Sequence, residues 1–124
     1  MKVVEIAFVV YPVTDLPRAR GFYEGVLGLK ESRFFGSADQ GMVEYDIGPG
    51  TLAIGNGAAG FNPSAGGGCA SLEVDDFADA AERLKAAGCP VVLAPYESPV
   101  CQMMVVSDPD GNSVMIHQRK GDRC

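Results

Sequence analysis

His117 is the one histidine of this 124-residue sequence, so acid–base chemistry near neutral pH rests on it or on a displaced carboxylate. The nucleophiles are four thiols, Cys69, Cys89, Cys101 and Cys124. They have no CxxC spacing, and one imidazole cannot build an HExxH or multi-histidine zinc site. Cys69 and His117 are the catalytic candidates, because an imidazole reaching a thiol across neighbouring strands would activate it. Nothing in the spacing fixes that distance. His117 stands near the end of a strand-like run, before Gln118-Arg119-Lys120, where a solvated imidazole is the plain alternative. Glu44, Tyr45 and Asp46 form a polar cluster expected to face solvent. Asp75, Asp76, Asp79 and Glu82 gather at a helix start, where they complement the helix dipole without any ligand.

The elements that must hold these groups come as a repeat. Val13 and Asp15 recur as Val74 and Asp76, each pair following a strand-like run (Val3 to Tyr11; Cys69 to Val74) and opening a helical pattern. In the first, Leu16, Ala19, Phe22 and Val26 share a face, Asp15 is the N-cap and Gly28 the stop. In the second, Phe77, Ala80, Leu84 and Ala87 do so, between Asp76 and Gly88. Three short strands are predicted after each helix: 29–35, 42–47 and 51–55, then 90–95, 101–107 and 113–118. Each half therefore reads βαβββ. Residues 1–55 and 69–120 form the two units of a single domain over 1–124. The Gly-rich stretch 56–68 between them reads as a mobile linker. No Lys-Ser/Thr follows its glycines and no helix opens there, so it is not a P-loop.

Ten basic against sixteen acidic residues leave a net charge of −6, which disfavours nucleic acid and anionic membrane surfaces and suits a cationic small molecule. No apolar run approaches the roughly 20 residues of a membrane span. Lys2 and Glu5 interrupt any early leader-like run. Reduced thiols in a cytoplasmic protein are the expectation.

Tandem βαβββ units, the run Asp15-Leu16-Pro17-Arg18-Ala19-Arg20-Gly21-Phe22-Tyr23-Glu24-Gly25-Val26-Leu27-Gly28-Leu29, and Asp108-Pro109-Asp110-Gly111-Asn112 before the last strand together resemble the vicinal-oxygen-chelate superfamily. That superfamily gathers glyoxalase I, extradiol dioxygenases, methylmalonyl-CoA epimerase, fosfomycin-resistance enzymes and bleomycin-resistance proteins. The resemblance implies an α+β fold, two βαβββ units forming a curved mixed-sheet half-barrel around a cavity. Metal-dependent members take ligands from the first and last strands of each unit. Here those positions fall on Phe8, Cys69, Met115 and the stretch Leu52-Ala53-Ile54, which cannot hold a hard divalent ion. No metal and no cofactor is expected, and metal-dependent chemistry is put in doubt.

Strand alternation groups Cys69 with Ser71 and Glu73, and Met115 with Ser113 and His117. If ligand positions face the cavity as in the family, an apolar pocket is expected, bordered by Phe8, Cys69, Ser71, Met103, Met115 and His117. The leading functional expectation is metal-free binding of a small molecule. The rival is a lyase, isomerase or dioxygenase-type enzyme using His117 and Cys69 or a metal on Glu44, Glu73 and Asp46. A homodimer is also expected, since each small unit leaves a sheet edge and an apolar face that small relatives cover with a second copy.

Overall fold

The computed structural model describes residues 1–121; Cys124 lies outside the described residues. Two compact units emerge, residues 1–63 and the residues from 64 on. In the first, β1 (Val9–Pro12) leads to α1 (Leu16–Arg20), a π-helical turn (Gly21–Val26), then β2 (Arg33–Gly36), β3 (Gly41–Ile47) and β4 (Gly50–Gly55). In the second, β5 (Ala70–Glu73), α2 (Phe77–Ala86), β6 (Val91–Glu97), β7 (Cys101–Ser107) and β8 (Ser113–Arg119) repeat the pattern. Both sheets have the same strand order, β1-β4-β3-β2 and β5-β8-β7-β6. The first and last strands of each unit pair in parallel and the rest antiparallel. The two βαβββ units read from the repeat are therefore present as an α+β fold.

Both helices start as the capping residues dictate. The Asp15 carboxylate accepts from the Arg18 N–H, and the Asp76 carboxylate from the Asp79 N–H, each at 3.0 Å. Gly28 and Gly88 follow the helices at φ 75° and 72°, a region that costs other residues a Cβ clash. The first helix departs from expectation by widening: the Leu27 N–H bonds the Phe22 carbonyl, an i→i+5 step. Its buried face, Leu16, Ala19, Phe22 and Tyr23, packs on the sheet through Tyr23, whose ring stacks on Tyr45 and meets Tyr11.

β1 is shorter than the run Val3 to Tyr11. Val9 pairs with Leu52, and β4 begins only at Gly50. Residues 1–6 overhang the strand they would need as a partner, and Val3, Val4 and Ile6 stand exposed. Sequence pattern supplied the β propensity, but the ladder had no rung to offer. β2 likewise starts at Arg33 instead of residue 29. The 56–68 stretch forms no helix or strand but is tied down at both ends. The Asn56 side chain bonds the Gly41 N–H and the Asp39 carbonyl, and the Ser64 N–H donates to Asn112.

The Asp108-to-Asn112 turn is a buried clasp. One Asp108 oxygen accepts from the Asp110 and Asn112 N–H groups at 2.9 and 2.8 Å, and the other from the Asn112 amide at 2.8 Å. Gly111 takes φ 86°. Ser107 and Ser113 are thereby set opposite each other, which fixes the register of the whole β7–β8 hairpin.

Candidate functional site

Residues directly opposite in a sheet share a face, so register assigns every side chain of the second unit. Leu72, Val114, Ile116, Met104 and Val106 lie on one face; Gln118, of the same parity, accepts from the Phe77 N–H at the start of α2. That is the helix-covered side, and Met104, Val106, Val114 and Ile116 are buried there. The opposite face carries Ser71 and Glu73 from β5, Met115, His117 and Arg119 from β8, and Cys101, Met103 and Val105 from β7. No helix of this unit covers it, and Met103 and Met115 are half-buried.

Four of the six expected pocket residues, Ser71, Met103, Met115 and His117, thus share one open sheet face. Cys69 precedes β5 and is exposed. Phe8 belongs to the first unit, just before β1, at 42% exposure. Cys69 and His117 are not brought together: Glu73 stands opposite His117, and four residues of extended chain, about 13 Å, separate it from Cys69.

The imidazole of His117 is buried, not solvated at a strand end, because its neighbours give it a polar partner. Its Nδ1 lies 2.6 Å from Glu73 Oε1, and the other Glu73 oxygen accepts from the Arg119 N–H at 2.7 Å. The Glu73 carboxylate holds the His117 pKa above its ordinary value against the opposing effect of burial, with a smaller contribution from a hydrogen bond to the Cys101 thiol. Burial works to raise the Glu73 pKa. The Arg119 N–H and His117 outweigh it, and the net shift is downward.

Cys101 is the residue sequence reasoning missed. It lies diagonal to His117, since Met103 is opposite His117 and Cys101 opposite Arg119. Its sulfur is also 3.4 Å from Ser98 Oγ in the β6–β7 turn. The signal was present: once Asp108–Asn112 is a hairpin turn, counting back along both strands sets Cys101 beside the histidine.

In the first unit, the cluster at 44–46 splits by parity. Tyr45 is buried on the helix side, where its hydroxyl donates to Glu24 and its pKa is raised by burial and by that carboxylate. Glu44 and Asp46 lie on the other face, both paired with the Arg33 guanidinium, and Glu44 is buried instead of facing solvent. Among the described residues no three His, Cys, Asp or Glu side chains are grouped to hold a metal ion. Phe8 has no donor atom and Met115 only a thioether, so these two side chains do not fit a hard divalent metal. A separate groove of about 470 Å³ in the first unit, lined by Val13, Gln40, Asn56 and Phe61 among others, touches none of the six residues.

A family model described as the Glyoxalase/Bleomycin resistance protein/Dioxygenase superfamily matches residues 5–116. Among curated proteins none matches the sequence. Solved structures do. TnmS3, an antibiotic binding protein from Streptomyces sp. CB03234, is 22% identical, with 97% of this chain and 99% of that one covered at a TM-score of 0.77. A glyoxalase/bleomycin resistance protein from the same organism is 23% identical, covering 92% and 100% at 0.73. A lactoylglutathione lyase from Agrobacterium tumefaciens is 23% identical, covering 94% and 95% at 0.71. At these identities the likeness establishes the fold.

Proposed function

This chain belongs to the glyoxalase/bleomycin resistance protein/dioxygenase superfamily, and from that premise we propose that it binds a small, largely apolar molecule without a catalytic metal. The observation that carries the reading is the open face of β5, β7 and β8. There two half-buried thioethers, Met103 and Met115, flank a buried, hydrogen-bonded imidazole in place of a ligand set. Thioethers give polarisable, adaptable contact area, while Ser71 and His117 supply the few polar contacts that orient a ligand. Cys69 lies at the edge of the same face. The antibiotic-binding neighbour supports this class of ligand, and the net charge of −6 favours a cationic one. A ligand losing ~150 Å² of apolar surface would gain roughly 4 kcal/mol before entropic costs.

Binding is tested by thermal shift against small aromatic and aromatic-cationic compounds, on protein with and without chelator treatment. Saturable stabilisation unaffected by chelator is expected. Stabilisation that chelator abolishes and zinc, iron, nickel or manganese restores would return the protein to metal-dependent chemistry.

We also propose that two copies associate. β6 is an edge strand paired only with β7, and Val91, Val92, Leu93 and Tyr96 are exposed at 54%, 57%, 44% and 57%. An edge strand that exposes this much apolar surface is open to pairing with a second copy. No helix among the described residues is long and apolar enough to cross a membrane. A reducing compartment such as the cytoplasm suits four cysteines with no CxxC pair among them.

A further inference from the structure

On the open face of the second sheet, the His117 imidazole bridges a thiol and a carboxylate. Glu73 Oε1 lies 2.6 Å from Nδ1, and Cys101, set diagonal to His117 on the same face by the β7–β8 register, hydrogen-bonds the same ring. A second polar group meets the sulfur. Ser98 Oγ, 3.4 Å from Cys101 Sγ, already accepts the N–H groups of Val100 and Cys101, so its own proton is left to donate to sulfur or to the Cys101 carbonyl. The Glu73 carboxylate is in turn fixed by the Arg119 N–H. Thiol, imidazole and carboxylate, supported by a hydroxyl, make a relay in which the proton of sulfur has a base to go to and the resulting charge has donors.

We propose that Cys101 is a reactive thiol, activated by His117 and Glu73, and that it is a site of oxidation by small peroxides. The proton passes from sulfur to His117, giving a thiolate–imidazolium pair. Sulfur attacks one peroxide oxygen and the O–O bond breaks. The leaving hydroxide takes the imidazolium proton and departs as water. Sulfur is oxidised by two electrons to the sulfenic acid, and hydrogen peroxide is reduced to water. Burial of Cys101, at 2% exposure, restricts the partner to a reagent of this size. Ser98 then serves as a positioning residue.

The charged groups at this end of the sheet are Glu73 on β5, Arg119 and Lys120 on or just after β8, and Glu97 on β6, which pairs with Lys120. β7 contributes none. Cys89 supplies a contrast within the chain: it is half-buried, and burial alone pushes its thiol pKa up.

The test uses the full chain with Cys69, Cys89 and Cys124 changed to Ser, so that Cys101 is the sole thiol. Its ionisation is read from the ultraviolet absorbance of the thiolate across pH, which requires no reagent access. Its oxidation is read by intact mass after the folded protein is treated with hydrogen peroxide, freed of excess peroxide and then unfolded in the presence of dimedone, which reaches the sulfenic acid only once the chain is open. A midpoint at least one unit below the ordinary thiol value of about 8.5, and a single dimedone adduct, are expected. Glu73→Gln and Ser98→Ala should each raise the midpoint, and Glu73→Gln should slow peroxide consumption at pH 7 about tenfold. His117→Asn should raise the midpoint furthest; Glu73→Gln carries the conclusion if His117→Asn fails to fold. A midpoint at or above 8.5, a midpoint unmoved by Glu73→Gln, or no adduct after peroxide treatment of the folded protein would each overturn the proposal.

Discussion

Replacing Glu73 by Gln removes the charge that His117 uses while leaving a side chain of nearly the same volume, so its effect on stability isolates the ion pair. Two interactions are altered: the contact to His117 Nδ1 at 2.6 Å and the Arg119 N–H bond at 2.7 Å. Hydrogen bonds to charged groups contribute about 1.5–3 kcal/mol when sheltered. The Glu73 side chain is 35% exposed, so solvent screening reduces the sum to about 1–2 kcal/mol. For a domain of this size that is roughly 4–8 °C in Tm. The pH dependence has a definite sign. The His117 pKa is raised by folding, so its contribution is full below the ordinary histidine value and lost as pH rises through the folded one. The Glu73 pKa is lowered, so its contribution is full above the ordinary carboxylate value and lost as pH falls through the folded one. Both operate together between the ordinary values of 4.5 and 6.5. Urea unfolding of wild type and Glu73→Gln should therefore differ most in that window, the difference narrowing on its alkaline side as His117 loses its proton and on its acid side as Glu73 gains one. A difference no larger in that window than on its acid and alkaline sides, or a Gln variant as stable as wild type in the window, would refute the pairing.

Asp108→Ala strands two backbone N–H groups and the Asn112 amide in a buried turn, and should cost about 3 kcal/mol by chemical denaturation. Met115→Glu, which sets an unpaired carboxylate among thioethers, should weaken any compound found to bind by tenfold or more in calorimetry, whereas Met104→Leu, on the helix-covered face, should not. Light scattering should give twice the 13.0 kDa chain mass for wild type and the chain mass after Val92→Lys; a monomeric wild type would reject the dimer.

The fold was legible because local signals agreed with tertiary structure: Asp15 and Asp76 cap the helices, Gly28, Gly88 and Gly111 take positive φ, and the repeat reappears as two identical strand orders. Strand ends were not, since the reach of β1 is set by where β4 begins, a property of the partner. Parity alone collected Ser71, Met103, Met115 and His117 on one face. It could not tell that His117 is buried, because burial depends on Glu73 and Cys101 arriving from other strands. The family resemblance singles out Cys69, at a metal-ligand position, whereas only the hairpin register singles out Cys101. The hairpin register, which decides the matter, was readable from Ser107 and Ser113.

Five methionines make the binding reading directly visible: Met103 and Met115 on the open face, Met104 on the helix-covered face of the same sheet, Met42 in the first unit, and Met1 at the terminus. Titration of methyl-labelled methionine protein with compounds that raise its Tm, followed by NMR, should shift the Met103 and Met115 methyl signals saturably and leave Met1 and Met104 in place. Saturable binding that moves neither Met103 nor Met115 would contradict a ligand site on this face.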